Sequence, residues 1–350
     1  RRTVQKILIM EIIIALIIIA IGSFGQSSSY VPINKVKQWS WESFWLIQGV
    51  FAWLVFPFLG ALLGLPEGMS LCELLSKGNI ALIMGYGILW GLGGLTFGLS
   101  MRYLGVALGQ SIALGTCSGF GTLLPALMAG TDLWHGDGLL LLIGVAVTLA
   151  GIAVIGYAGS LRAQQMSEAE RKAAVKDFAL TKGLIVALLC GVMSACFALG
   201  LEAGNDIKMA SLNSGVNSLF AGLPVILLVT SGGFLTNAAY CLQQNCKNHT
   251  FSDYAVRNVW TNNLFFCALA GILWYSQFFG LEVGKSFLKS NPTLLAFSWS
   301  ILMALNVTFS NVWGIVLKEW KGCNGKTIGV LVSGLVILTG SIILVASVQQ

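Results

Sequence analysis

In 350 residues the chain carries only 20 basic and 14 acidic side chains, against 56% apolar residues and a mean hydropathy of +0.82. A soluble domain carries about a quarter charged residues, so these few cannot coat a globule of this size, and a water-soluble enzyme or binding module is excluded. Lipid is the main solvent: at about 20 apolar residues per crossing, ten helical crossings account for the apolar content.

Apolar stretches broken by short polar loops predict spans near 7–30, 43–65, 79–100, 103–129, 138–159, 183–204, 213–240, 258–281, 290–317 and 327–348. The first, with Arg1, Arg2 and Lys6 ahead of IIIALIIIA, is shaped like a secretory leader. Glu11 interrupts its core and no A-x-A site follows, so it reads as a retained span. It turns abruptly into SFGQSSSYVP, with Gln26, three serines and Pro32, and predicts a helix that loses regularity beside a cavity. Spans 3 and 4 are rich in glycine (GYGILWGLGGLTFG, GVALGQSIALGTCSGFG), which suits close helix packing and equally suits gating helices that slide. Both histidines, His135 and His249, fall in loops and there is no CxxC pair. No metal site or organic cofactor is therefore expected, and the cysteines inside apolar runs read as small hydrophobes.

Orientation follows from Lys and Arg. The loops after spans 1, 3, 5, 7 and 9 hold 13 of the 20, which places them in the cytoplasm and both termini on the external side. The net charge of +6 is then explained by anionic headgroups, with no need of nucleic acid. The one long hydrophilic segment, residues 161–182, reads as a cytoplasmic linker. It divides the ten spans into a first five-helix repeat (1–160) and a second (183–350). Five is odd, so the second half enters the membrane inverted, as in many transporters. Ile88-Leu89-Trp90 in span 3 recurs as Ile272-Leu273-Trp274 in span 8.

A carrier of a polar solute must place hydrogen-bonding groups inside the bilayer, where each unpaired one costs several kcal/mol. The candidates are Gln26 in span 1, Gln110 in span 4, Tyr275 and Gln277 in span 8, and Asn306 in span 9. Trp90, Trp274 and Trp299 lie too deep for the interfacial belt that explains Trp39, Trp41, Trp45, Trp134 and Trp320. They either fill a core or wall a cavity. With the amides they suit a sugar, whose C–H faces stack on aromatic rings while amides pair with hydroxyls. Among the acids only Glu11, Glu202 and Glu282 fall in or at the edge of spans. Such a carboxylate is a candidate proton carrier. Glu282 has Lys285 three residues on, an interfacial ion pair in prospect. Glu202 has no base within five positions, Lys208 being the nearest with Asp206 competing for it, and is the first choice for coupling.

Five segments in order along the chain carry a resemblance: KVKQWSWE (35–42), LSMRYLGVALG (99–109), LWYSQFF (273–279), Ser298-Trp299 and GIVLKEW (314–320). Together they resemble the L-rhamnose–proton symporter family of the drug/metabolite transporter superfamily. The resemblance implies proton-driven uptake of a 6-deoxyhexose across the bacterial inner membrane. An apolar patch such as Phe278 and Phe279 would then receive the sugar's methyl group. The expectation is an all-helical symporter of two inverted five-helix repeats. Its cavity would use Gln26, Trp90, Gln110, Tyr275, Gln277, Trp299 and Asn306, with Glu202 or Glu282 carrying the proton. The alternative is a facilitator or exporter of another small polar metabolite on the same fold.

Overall fold

The computed structural model describes residues 2–104, 106–166 and 179–348, so residues 167–178 of the expected linker, and Gly105 of the second family segment, lie outside the described residues. Among the described residues ten helices are long and apolar enough to cross a membrane: α1 (Arg2–Ser28), α2 (Trp41–Leu63), α3 (Ile80–Leu104), α4 (Val106–Met128), α5 (Gly136–Gln164), α6 (Leu180–Ala203), α7 (Leu223–Asn248), α8 (Trp260–Ser286), α9 (Pro292–Val316) and α10 (Gly325–Val348). There is no strand among the described residues.

The local chemistry explains several boundaries. Ser40 caps α2 by accepting from Ser43 N–H, and Asn291 caps α9 by accepting from Leu294 N–H, with Pro292 following it. α1 stays helical through its serines, because Ser28 Oγ donates back to Phe24 O at 2.7 Å. The expected irregularity is confined to Ser29, before a single turn at Tyr30–Ile33. α7 departs most from expectation, running 223–248 rather than 213–240. A short helix, Asn205–Asn213, follows α6 and uses up the residues first assigned to the span. Pro224 then starts α7, which continues through the polar end CLQQNCKN until His249 turns left-handed (φ 56°).

α2 is not uniform. A π-helical turn at Phe51–Val55 separates Trp41–Val50 from Phe56–Leu63. Pro57 accounts for it: it has no N–H to offer the carbonyl one turn back, and its ring crowds that oxygen. Widening the preceding turn relieves the crowding.

The helices form two compact units, each drawn from both halves of the chain. Unit 1 comprises residues 1–15, 92–199 and 287–350, hence α4, α5, α9 and α10 with most of α6. There α10 lies along α5, and α9 packs on both α4 and α5. Hydroxyls stitch these helices: Ser300 Oγ lies 3.0 Å from Ser118 Oγ and 2.8 Å from Thr122 Oγ1, and Thr148 Oγ1 donates to Ser341 Oγ at 3.0 Å. Unit 2 comprises residues 16–91 and 200–286, hence α2, α7 and α8 with about half each of α1 and α3. Here α7 and α8 both pack on α2. Glycines of α3 bring it close to α7, Gly91 lying against the Gly233 backbone, whereas Gly85 meets nothing within 4 Å and serves no packing.

Candidate substrate and proton site

In unit 2 the second half of α8 and the start of α7 enclose a carboxylate. Glu282 is 5% exposed, and Lys208 Nζ, from the short helix after α6, donates to its Oε1 at 2.5 Å. An ideal Cβ built on Gly222, the residue that opens α7, would fall on this carboxylate. Glycine is thus required there by close approach. The carboxylate meanwhile occupies the positive end of a helix whose first turn carries no acid of its own. Lys285 lies within electrostatic range of Glu202, Glu282 and Lys208, so four charges form one cluster. The lysine nearest Glu282 in sequence is therefore not the one that grips it, and Lys208 serves neither Asp206 nor Glu202 as its hydrogen-bonded partner. Glu202 is exposed at the end of α6.

Deeper in the same unit, three indoles meet. Trp53 of α2 stands edge-on to Trp90 of α3 (6.1 Å, 89°) and to Trp274 of α8 (5.8 Å, 85°), and Trp90 and Trp274 are 5.8 Å apart. Phe278 lies edge-on to Trp274 at 5.3 Å. Trp90 is seated on α7, its ring where a side chain at Gly233 would be. In the same unit, these buried side-chain atoms lack hydrogen-bond partners: Ser23 Oγ, Gln48 Oε1, Trp53 Nε1 and Tyr275 OH. The Tyr275 hydroxyl rests against Gly60 of α2 and within electrostatic range of Glu282.

The expected site residues divide between the units. Unit 2 holds Gln26, Trp90, Tyr275, Gln277, Glu202 and Glu282. Gln277 is buried and its Nε2 donates to Trp274 O at 3.2 Å, while half-buried Gln26 accepts from Ser27 Oγ at 3.3 Å. α1 and α8 touch through backbone here, since Ser276 Oγ donates to Gly22 O at 3.0 Å. Unit 1 holds Gln110, Trp299 and Asn306. Trp299 is buried, its N–H donates to Cys117 O at 3.3 Å, and its ring stacks on Phe197 (5.9 Å, 22°), so it joins α9 to α4 and α6 as a core residue does. Gln110 and Asn306 are half-buried on α4 and α9. An apolar groove of about 710 Å³ runs between α4 and α5, lined by residues such as Ile112, Phe120, Leu127 and Leu149. Its few hydroxyls make it a poor seat for a polyhydroxylated solute, and exposed Phe120 and Leu127 suit it to acyl chains.

At the opposite end of α7 and α8 from Glu282, the loop between α1 and α2 is tied to the loop after α7. Ser40 N–H donates to Asp253 Oδ2 at 2.7 Å, Trp39 Nε1 to Asp253 O at 3.0 Å, and Asn263 brackets Lys37 by accepting from its N–H and donating to its carbonyl. Glu42 Oε1 accepts from Asn248 Nδ2 (2.9 Å) and Thr250 Oγ1 (2.8 Å). Burial pushes the Asp253 carboxyl upward, but the hydrogen bonds from Ser40 and Ser43 outweigh it and leave the group below its ordinary range. Trp39 is thus a loop tie as well as a belt residue.

Gln48, Trp53 and Gly222 are not among the residues singled out by the sequence, and Lys208, picked out only as the base nearest Glu202 in the chain, is the partner of Glu282. Trp53 had a usable signal: it lies in mid-span with Pro57 one turn on.

Ten apolar crossings, a lysine-held carboxylate inside one unit and unpaired polar atoms among indoles define a polytopic transporter of a small polar solute. Comparison with known proteins gives the family. The chain belongs to the L-rhamnose-proton symport protein (RhaT) family, whose profile matches residues 6–349. It is similar to the L-rhamnose-proton symporters of Yersinia pestis (strain Pestoides F) and Yersinia pseudotuberculosis (serotype O:1b, strain IP 31758). Each is 33% identical over 335 residues, covering 93% of this chain and 95% of the relative. The fold is all-helical, the protein is a multi-pass membrane transporter, and its relatives are symporters rather than enzymes.

Proposed function

We propose that the chain imports L-rhamnose, or a 6-deoxyhexose close to it, together with a proton across a bacterial inner membrane by alternating access. The observation that carries this reading is the end-to-end likeness to relatives named as L-rhamnose-proton symporters. Both termini face the periplasm in this reading, supported by the 13 of 20 basic residues in the opposite set of loops. The two halves of the chain, 1–160 and 183–350, are inverted repeats. Support comes from the units: one contains the corresponding pairs α4/α9 and α5/α10, the other α2/α7.

Glu282 is the coupling carboxylate, with Glu202 in the same cluster as the group that exchanges protons with the outside. Burial of Glu282 and its single lysine partner support this choice. A proton reaching Glu282 turns a charge-assisted bond into an ordinary one, roughly halving its strength, and frees Lys208 with its short helix. Sugar binding that differs between the paired and released states makes the coupling. Sugar added to a lightly buffered cell suspension should alkalinise the medium, and a facilitator would give no signal. Glu282→Gln should abolish accumulation against a gradient while leaving exchange of labelled sugar across the membrane. Normal accumulation by that variant would remove Glu282 from the coupling, and the same outcome for Glu202→Gln would remove Glu202.

A further inference from the structure

α2 carries two buried polar atoms without hydrogen-bond partners, Gln48 Oε1 just before its π-turn and Trp53 Nε1 within it. Gln48 Oε1, on a side chain 2% exposed, is an acceptor. Trp53 Nε1, on a side chain 4% exposed, is a donor. They belong to one stretch of helix. The Trp53 ring folds back over Gly49, 2.7 Å from where a Cβ on that glycine would be, which brings the indole alongside the turn that holds Gln48. The walls beside them are the Trp90 and Trp274 rings. π-turns of this kind recur at functional sites. Leaving an amide oxygen and an indole N–H buried and unpaired is costly for each group. Ligand hydroxyls can remove both costs, because a hydroxyl accepts from an N–H and donates to a carbonyl oxygen.

We infer that the π-turn of α2 is the sugar's anchoring point, with Trp53 Nε1–H donating to, and Gln48 Oε1 accepting from, hydroxyls on one edge of the ring. Its C–H face stacks on Trp90 or Trp274. The solute class is a neutral polyol ring: the pair offers one donor and one acceptor and no charge, and so has no preference for an anion or a cation. This rests on the sugar-import reading and adds to it two residues and the polarity of each contact.

The test uses full-length protein in proteoliposomes, measuring exchange of labelled L-rhamnose in competition with analogues that each lack one hydroxyl. Trp53→Phe keeps an aromatic ring and removes only the N–H. Gln48→Met keeps the length and removes the acceptor. Each should raise the half-saturation concentration for L-rhamnose at least fivefold. Each should also erase the preference for L-rhamnose over one particular deoxy analogue, with the proton-to-sugar ratio unchanged. A change in packing alone would weaken all analogues in parallel, and that pattern overturns the inference, as does an unaltered preference in both variants. If Trp53→Phe does not insert as a monodisperse protein, Gln48→Met decides alone by the same criterion. A wild type that does not exchange L-rhamnose overturns the import reading and this one with it. A wild type that does, with unaltered variants, overturns only the anchoring point.

Discussion

The two units solve the same problem, polar atoms in an apolar solvent, in opposite ways. In unit 1 the inward hydroxyls of Ser118, Thr122 and Ser300, and of Thr148 and Ser341, satisfy one another, and the Trp299 N–H is taken up by the Cys117 carbonyl. An exception among the described residues is the Trp320 N–H, buried without a hydrogen-bond partner below the Arg162 guanidinium that sits 5.3 Å over its ring. Unit 2 instead has a buried ion pair, three abutting indoles, and unpaired atoms at Ser23, Gln48, Trp53 and Tyr275. Polar groups that close on each other hold helices together. Those left open at several kcal/mol each await something that is not protein. In the import reading proposed above, solute and proton work falls to the second unit, and the closed hydroxyl network of the first suits a scaffold.

That contrast breaks first at Gly222. Replacing it with leucine puts a side chain where the Glu282 carboxylate lies, and removing one partner from a buried pair costs about 3–5 kcal/mol. Proton-driven sugar uptake by Gly222→Leu should therefore fall at least tenfold at unchanged membrane expression. Normal uptake would mean that the charged cluster is ornamental. A smaller and different effect is expected in unit 1. Ser300→Ala removes the hydroxyl shared by Ser118 and Thr122 and should lower thermal stability in detergent by about 1 kcal/mol, with initial uptake rates within twofold of wild type. A transport defect larger than the stability defect would blur the division between the units. The smallest effect belongs to the loop tie at Asp253. Its carboxyl is held below the unfolded reference of 3.8, so its contribution to stability is present above that pH and lost as pH falls through the lower folded value. Asp253→Ala should melt slightly earlier than wild type at neutral pH, and the gap should close below about pH 4. A gap independent of pH would show that the aspartate matters only through packing.

The sequence makes the fold legible because the bilayer allows so few solutions: length and hydropathy locate all ten helices, and most ends are right to a few residues. The site is legible only where depth along the chain suffices. Trp90 and Trp274 can be picked out as indoles too deep for an interface, and they do meet. Lys208 and Glu282 are 74 positions apart, and nothing local links them. The nearby Lys285 offers a more obvious pairing by helical spacing. Gln48 and Trp53 escape notice because span 2 reads as an ordinary apolar helix with interfacial tryptophans at its start. Only the extra width forced by Pro57 shows why they share a turn. Trp299, chosen by the same depth argument as Trp90, stacks on Phe197, whereas Trp90 abuts two other indoles.

The π-turn also sets the phase of everything beyond it. One residue inserted into a helix rotates the following segment by about 100°. The face of α2 that carries Trp45 and Gln48 is thus not continued past the π-turn by counting in steps of three and four. A helical wheel drawn straight through 41–63 would send the second half of α2 to the wrong neighbours. Relatives that lack the extra residue would have to turn a different face of this helix toward α8, so a one-residue gap at 51–55 in a comparison of family members marks a change of lining, not a neutral loss of length.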